Sequence, residues 1–203
     1  MNSELTILQL VRLRGRPHVD DVAASSGLAS GTAKMIVDDL VGEGHLDETR
    51  GRLRITPEGK QRLDHLVEEE GTSVDHTQLT AGYERFAEVN AEFKQLVTDW
   101  QLIDGSPNDH SDPAYDAAVI ERLGEMHLRF VPLLNELAEV APRLGIYPPR
   151  FDSALGKVQA GDHSWLARPM VDSYHTAWFE LHEDLIGLLG LSRADEAAAG
   201  RAE

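Results

Sequence analysis

The chain has 203 residues with 19 Lys and Arg against 35 Asp and Glu, a formal net charge of −16, and no cysteine. The missing cysteines exclude disulfides, thiolate zinc sites and iron–sulfur ligation, so a metal site would have to use His and carboxylates. A charge of −16 taken whole argues against nucleic acid, since binding a phosphate backbone draws on Lys and Arg.

Charge is unevenly distributed. Residues 1–66 carry nine basic and ten acidic side chains, whereas residues 67–203 carry ten basic and 25 acidic. That shift, at Glu68-Glu69-Glu70-Gly71-Thr72-Ser73, predicts a domain boundary, giving an N-terminal domain over 1–70, a second over 77–190 and an Ala-rich tail over 191–203. No apolar run reaches the roughly 18 residues of a membrane span, and MNSELTILQL lacks the basic start and cleavage site of a secretory signal, so a cytoplasmic protein without membrane contact is expected.

In chain order, Leu5, Leu8, Val11 and Leu13 predict a first amphipathic helix, stopped by Arg14-Gly15-Arg16-Pro17. A second helix is expected from Val19 to Ser25, ending at Gly27. A third opens at Ala29 or Ser30, carries Ile36, Val37 and Leu40 inward, and ends near Gly42-Glu43-Gly44. Arg50 to Thr56 alternates Arg with aliphatic residues as a strand does, and Thr56-Pro57 is a cap followed by a first-turn proline. Helix, helix–turn–helix, β-hairpin, helix is the winged-helix order.

The stretches Gly27-Leu28-Ala29-Ser30-Gly31-Thr32-Ala33-Lys34, Leu40-Val41-Gly42-Glu43-Gly44-His45-Leu46 and Leu53-Arg54-Ile55-Thr56-Pro57-Glu58-Gly59-Lys60 resemble the winged-helix domains of MarR-type and related bacterial regulators, over about residues 4–66. The resemblance implies double-stranded DNA as partner. It puts Ser30, Gly31, Thr32, Lys34 and Met35 at the groove-facing start of a recognition helix, and Arg50 and Arg52 on the wing. A helix N-terminus offers free amides to phosphate, and Arg on a hairpin can enter a minor groove. Lys34 is the only basic residue of the third helix, however, and Asp38-Asp39 follow one turn later. Those two acids favour the alternative of a winged helix that docks protein rather than DNA: exposed and paired with Lys34 they support docking, whereas turned inward or bridged to Arg12 or Arg16 they restore DNA.

Beyond the boundary, Leu79, Tyr83, Phe86, Phe93, Leu96, Val97, Trp100 and Ile103 predict one long helix. The loop 104–111 leads to the Asp112-Pro113 cap of another helix, which buries Val119, Ile120, Leu123, Phe130, Leu134 and Leu137 and contains Pro132. Pro142 and Pro148-Pro149 predict a loop, Phe151 to Gln159 a short helix, and Pro169 to Leu189 a last long one. With no strand pattern, an all-α bundle of four or five helices is expected, so the whole chain reads as mainly α with one small hairpin.

Tyr174 and Trp178 lie in the main apolar stripe of the last helix, with Asp172, His175 and His182 on the adjoining one. Trp100, His127, Tyr174, His175 and Trp178 are thus candidates for the pocket of a small-molecule effector; a satisfied core network of the same residues is the equal alternative. Asp172 and His175, three apart, with His127 from a facing helix, form the one geometrically allowed N/O site for a divalent metal. A helical domain with such a set, and with the run Ala160-Gly161-Asp162-His163 before the last helix, resembles the effector domains of FadR-like GntR regulators, and the resemblance implies an Asp/His metal site. Glu180 and Asp184 read as a solvated face. The sequence holds no Gly-rich phosphate loop, Gly-x-Ser-x-Gly elbow or His-Glu-x-x-His, so no enzyme is expected, a metal-dependent helical enzyme domain being the residual alternative. A homodimeric DNA-binding regulator with a helical sensing or dimerisation domain is the overall expectation.

Overall fold

A computed structural model of the chain describes residues 2–169, 171–191 and 196. The protein is mainly helical with a small antiparallel hairpin, in two units: residues 1–74 with 187–190, and residues 75–186 with 191–203. The expected tail lies outside the described residues apart from Leu191 and Glu196; Glu196 is buried and accepts a hydrogen bond from the Tyr83 hydroxyl.

The first unit runs α1 (Ser3–Arg14), α2 (Val19–Ser25), α3 (Ser30–Gly42), β1 (Leu46–Thr49), β2 (Arg52–Ile55) and α4 (Pro57–Ser73). Local chemistry supplies acceptors for the free amides at the starts of α1 and α4. Asn2 Oδ1 accepts from Leu5 N at 3.2 Å, and Thr56 Oγ1 accepts from Gly59 N at 2.9 Å with Pro57 in the first turn. The Thr56 hydroxyl also donates to Gly44 O at 2.8 Å, tying the start of α4 to the end of α3. Leu5, Leu8 and Val11 of α1 meet Val22, Val37, Leu40, Leu46, Leu53, Leu63 and Leu66 in one apolar core. A bidentate pair from Arg62 to Glu4, 2.8 Å at both oxygens, links α4 to α1.

The hairpin pairs Leu46 with Ile55 and Thr49 with Arg52. Arg50 and Gly51 form its two-residue turn rather than the start of the strand, because both have positive φ, +54° and +76°, as the turn that matches strand twist requires. Gly51 is further constrained, since a Cβ there would stand 2.7 Å from His18 Nε2. The α1–α2 connection joins the hairpin as a third extended segment, Leu53 N donating to Pro17 O and Val19 N to Gly51 O, both at 2.9 Å. α4 continues through Glu68 to Ser73, so the segment expected to mark the domain boundary is helical.

The second unit contains α5 (His76–Gln101), α6 (Pro113–Val140), a 3-10 turn (Pro142–Ile146), α7 (Tyr147–Gln159), α8 (Ser164–Ala167) and α9 (Tyr174–Leu188), whose last two residues count with the first unit. α5 packs along α6, and α6 along α7. Three local expectations change. A two-residue hairpin, β3 (Leu102–Ile103) with β4 (Ser106–Pro107), follows α5, where Asp104 and Gly105 take positive φ. Pro148 and Pro149 lie in the first turn of α7, where a missing N–H costs nothing, so they start a helix instead of a loop. The last helix begins at Tyr174, not Pro169: Ser173 Oγ accepts from Thr176 N at 3.2 Å, which puts Asp172 outside the helix. No described helix is long and apolar enough to cross a membrane.

Candidate functional site

In the first unit, α3 buries Ala33, Val37 and Leu40 and leaves Ser30, Gly31, Thr32, Lys34, Met35, Asp38 and Asp39 exposed; Met35 is 61% accessible. No side chain caps the start of α3, because Ala29 stands at that position, so its first-turn amides have no side-chain acceptor. Arg50 is exposed at the hairpin tip. Arg52 is exposed too, but donates through Nη1 to Arg16 O at 3.0 Å, while Arg54 pairs with Asp47 at 2.7 Å across the strands. Among the described residues, no partner engages the guanidinium groups of Arg16 and Arg50.

The two acids of α3 face outward, and they are not paired with Lys34. Lys34 Nζ instead lies 3.0 Å from Asp20 Oδ1 on α2, and that hydrogen bond and charge hold the Asp20 carboxyl below its ordinary pKa. The one cation of α3 is therefore already engaged by a carboxylate.

In the second unit, the aromatic residues singled out from the sequence are largely core. Trp178 lies with ring centroids 4.3 Å from Phe93, 4.6 Å from Phe130 and 5.1 Å from Phe86, and its indole N–H donates to the buried Asn90 Oδ1 at 2.8 Å. Tyr174 packs on Phe151 at 4.7 Å and His175 on Phe93 at 6.1 Å. The buried His127 bridges Tyr174 Oη, 3.2 Å from its Nδ1, and Asp152 Oδ1, 3.1 Å from its Nε2. Burial lowers the pKa of His127 although Asp152 opposes this, and burial raises that of Tyr174 well above the ordinary phenol. His127, Tyr174, His175 and Trp178 thus meet around Phe93 and Phe151, whereas Trp100 stands apart at the end of α5 beside His110 and His163.

The metal set does not assemble. Asp172 takes Arg150 through Nε at 3.1 Å and Nη2 at 2.6 Å, His127 is held by Tyr174 and Asp152, and no three His, Asp or Glu side chains converge among the described residues. The physical reason is the start of α9: with Asp172 ahead of the helix, the three-residue spacing to His175 no longer places both on one helical face.

The structure also contains an ionic network that the sequence pattern did not reveal. Glu180 and Asp184, expected on a solvated face, are each 1% exposed. Arg150 Nη2 donates to Glu180 Oε2 at 2.5 Å, Arg143 Nη1 lies 2.8 Å from Asp184 Oδ2, and Tyr147 Oη donates to the same oxygen at 2.5 Å. Burial works against the Arg150 charge, yet Glu180 and Asp172 outweigh it and hold its pKa above the ordinary guanidinium value; burial and then Asp184 raise Tyr147 far above the ordinary phenol. A signal was available: Ala177, Glu180, Asp184 and Leu188 follow the helical spacing of a buried stripe. The partners, 30 to 41 residues upstream in Arg150 and Arg143, could not be read from that spacing. With Arg143 on Asp184 and Arg150 on Asp172 and Glu180, and all of these but Asp172 buried, the network ties α7 to α9.

No family model, curated protein or solved structure matches this chain.

Proposed function

We propose that the first unit is a winged helix that binds double-stranded DNA, and that the protein is a cytoplasmic, homodimeric transcriptional regulator, not an enzyme, whose helical unit senses a small molecule or dimerises. The observation that carries this reading is the outward face of α3 together with the hairpin tip. Ser30, Thr32 and Met35 are free of core packing, the first turn has no side-chain cap, and Arg50 projects from a turn of left-handed backbone. Uncapped amides and short hydroxyls suit phosphate contacts, and an unpaired Arg on a wing suits the minor groove.

Fluorescence anisotropy on duplexes from the gene's own upstream region, across a salt series, tests it. Binding should weaken with salt, and Arg50→Ala/Arg52→Ala should weaken it further and lower the salt slope by about one for each phosphate no longer neutralised. Absence of salt-sensitive binding by the parent chain would remove the reading. A second reading, in which α3 docks a protein, is favoured by one observation: Asp38, Asp39 and the apolar Met35 are exposed together while Lys34 is engaged by Asp20. Under the DNA reading Asp38→Asn/Asp39→Asn tightens duplex binding; under the docking reading it leaves a chain that still does not bind.

A further inference from the structure

A cleft in the second unit lies outside the aromatic core. It has a volume of about 500 Å³, within the range of small-molecule sites. The end of α5, the loop after it and the segment 163–168 form its walls, with Trp100, Asn108, His110, His163 and Arg168 as the residues that matter.

Three observations distinguish this cleft from the surface around it. The first is charge: from residue 75 onward the sequence has ten basic and 22 acidic side chains, yet no Asp or Glu lines the cleft among the described residues. The second is Arg168. Arg85, Arg122, Arg129, Arg143 and Arg150 are each paired with a carboxylate, whereas Arg168 is exposed on the cleft and has no partner among the described residues. The third is a preset imidazole. Asp116, only 4% exposed, accepts from Asn108 Nδ2 at 3.1 Å and lies 3.0 Å from His110 Nδ1. That contact orients the ring and leaves Nε2 for another partner. His110 holds left-handed backbone, φ +58°, to reach this position, with its ring centroid 4.4 Å from that of Trp100. His163 meets the same indole edge-on at 5.5 Å. Strained backbone held by a buried carboxylate is an arrangement found where a side chain must be presented in one orientation.

We propose that this cleft binds a small aromatic monocarboxylate, its carboxylate on Arg168 and the imidazole nitrogens and its ring against the wall of Trp100 and the two histidines. The planar guanidinium matches a carboxylate two bonds at a time, and the exposed His110 and His163, backed by the buried Trp100, supply area for a flat body. One unpaired Arg with two imidazoles suits a single negative charge better than a phosphate dianion. The sensing role of the helical unit thereby acquires a place and a ligand class; the inference rests on that reading only for its regulatory consequence.

The test uses the full chain without DNA. Titration calorimetry with benzoate and indole-3-acetate, with indole-3-acetamide and inorganic phosphate as comparators, is run beside nitrogen-15 NMR of the tryptophan indole N–H groups. Both acids should bind with Kd below about 1 mM and move the Trp100 resonance, the amide and phosphate should bind at least about tenfold more weakly, and Trp178 should stay in place. Arg168→Gln, at an exposed position, should keep its circular dichroism and lose at least about tenfold in affinity, while Lys94→Gln on α5 should change nothing. Equal binding of acid and amide, equal binding of phosphate, an unchanged Arg168→Gln, or no binding of either acid at millimolar concentration would each overturn the proposal. A chain that binds the acids but no duplex keeps this inference and loses the regulatory reading; the reverse result does the opposite.

Discussion

Removing the Arg150 guanidinium should be among the most costly single changes in the helical unit. Arg150 is 7% exposed and makes bonds of 2.6–3.2 Å to Asp172 and 2.5 Å to Glu180, itself 1% exposed. Arg150→Met keeps most of the aliphatic volume and deletes the charge, so the cost is chiefly that of a buried carboxylate deprived of its cation. Breaking such a pair from one side costs about 3–5 kcal/mol, against a total stability of about 5–15 kcal/mol for a folded domain. For a chain of this length that corresponds to a fall in Tm of about 6–20 °C. The assay is urea unfolding followed by circular dichroism and by tryptophan fluorescence, for Arg150→Met, Glu180→Gln and the double variant. Neutralising Glu180 in the Arg150→Met background should recover part of the loss, so the two changes together cost less than their sum. A single-variant loss below about 1 kcal/mol, the range of solvent-screened pairs, or strict additivity in the double variant, would show that the pair is neither desolvated nor coupled.

Two further outcomes follow from geometry elsewhere. Gly59 faces the backbone at the end of α3: a Cβ would stand 2.0 Å from His45 O, so Gly59→Ala must displace backbone and should cost at least the roughly 1–3 kcal/mol of core overpacking, read as a lower urea midpoint; an unchanged midpoint would mean that α4 is not seated on the α3–β1 turn. His127 titrates with a lowered pKa because burial disfavours its charge, so the unfolded chain binds the proton more readily. Its contribution is fully present above the unfolded-state value near 6.5 and is lost as the pH falls through the folded-state pKa. A urea series from pH 7.5 to 5 should therefore show stability falling towards acid, and His127→Gln should flatten that slope; an identical slope would exclude His127 as its source.

What could be read from the sequence was local. Caps, stops and apolar spacing placed α1 to α4 and the cores of α5 and α6, because the signals sit within a few residues of what they control: Thr56 and Asp112 each accept from amides two or three positions onward. The failures were tertiary. Pro148-Pro149 fits a loop and a first helical turn equally well, and only the packing of Tyr147, 1% exposed, selects the helix. Acids four apart have one spacing whether they face water or a buried Arg. The partners of Glu180 and Asp184 were thus illegible until α7 brought Arg150 and the preceding turn brought Arg143 to them. Trp100, grouped with Tyr174 and Trp178 by residue type, belongs instead with His110 and His163, because β3 and β4 turn the chain back over the end of α5.

The same distinction decides how the charge of −16 bears on DNA. The network of Arg143 and Arg150 with Asp172, Glu180 and Asp184 pairs two cations with three acids, a small part of the acidic excess of the helical unit, and the exposed acids of that unit repel phosphate over roughly a Debye length, about 8 Å at physiological salt. In the first unit the balance is local. Lys34 is engaged by Asp20, Arg54 by Asp47 and Arg62 by Glu4, which leaves Arg16 and Arg50, with the partly engaged Arg52, as the guanidinium groups near the hairpin for a duplex to meet. A contact made through two or three cations per protomer releases few counterions. The expected dependence of log Kd on log salt is therefore about 2–3 per protomer, at roughly 0.9 per phosphate neutralised. A measured slope several times larger would mean that Lys34 leaves Asp20 and that further basic residues outside this face join the contact.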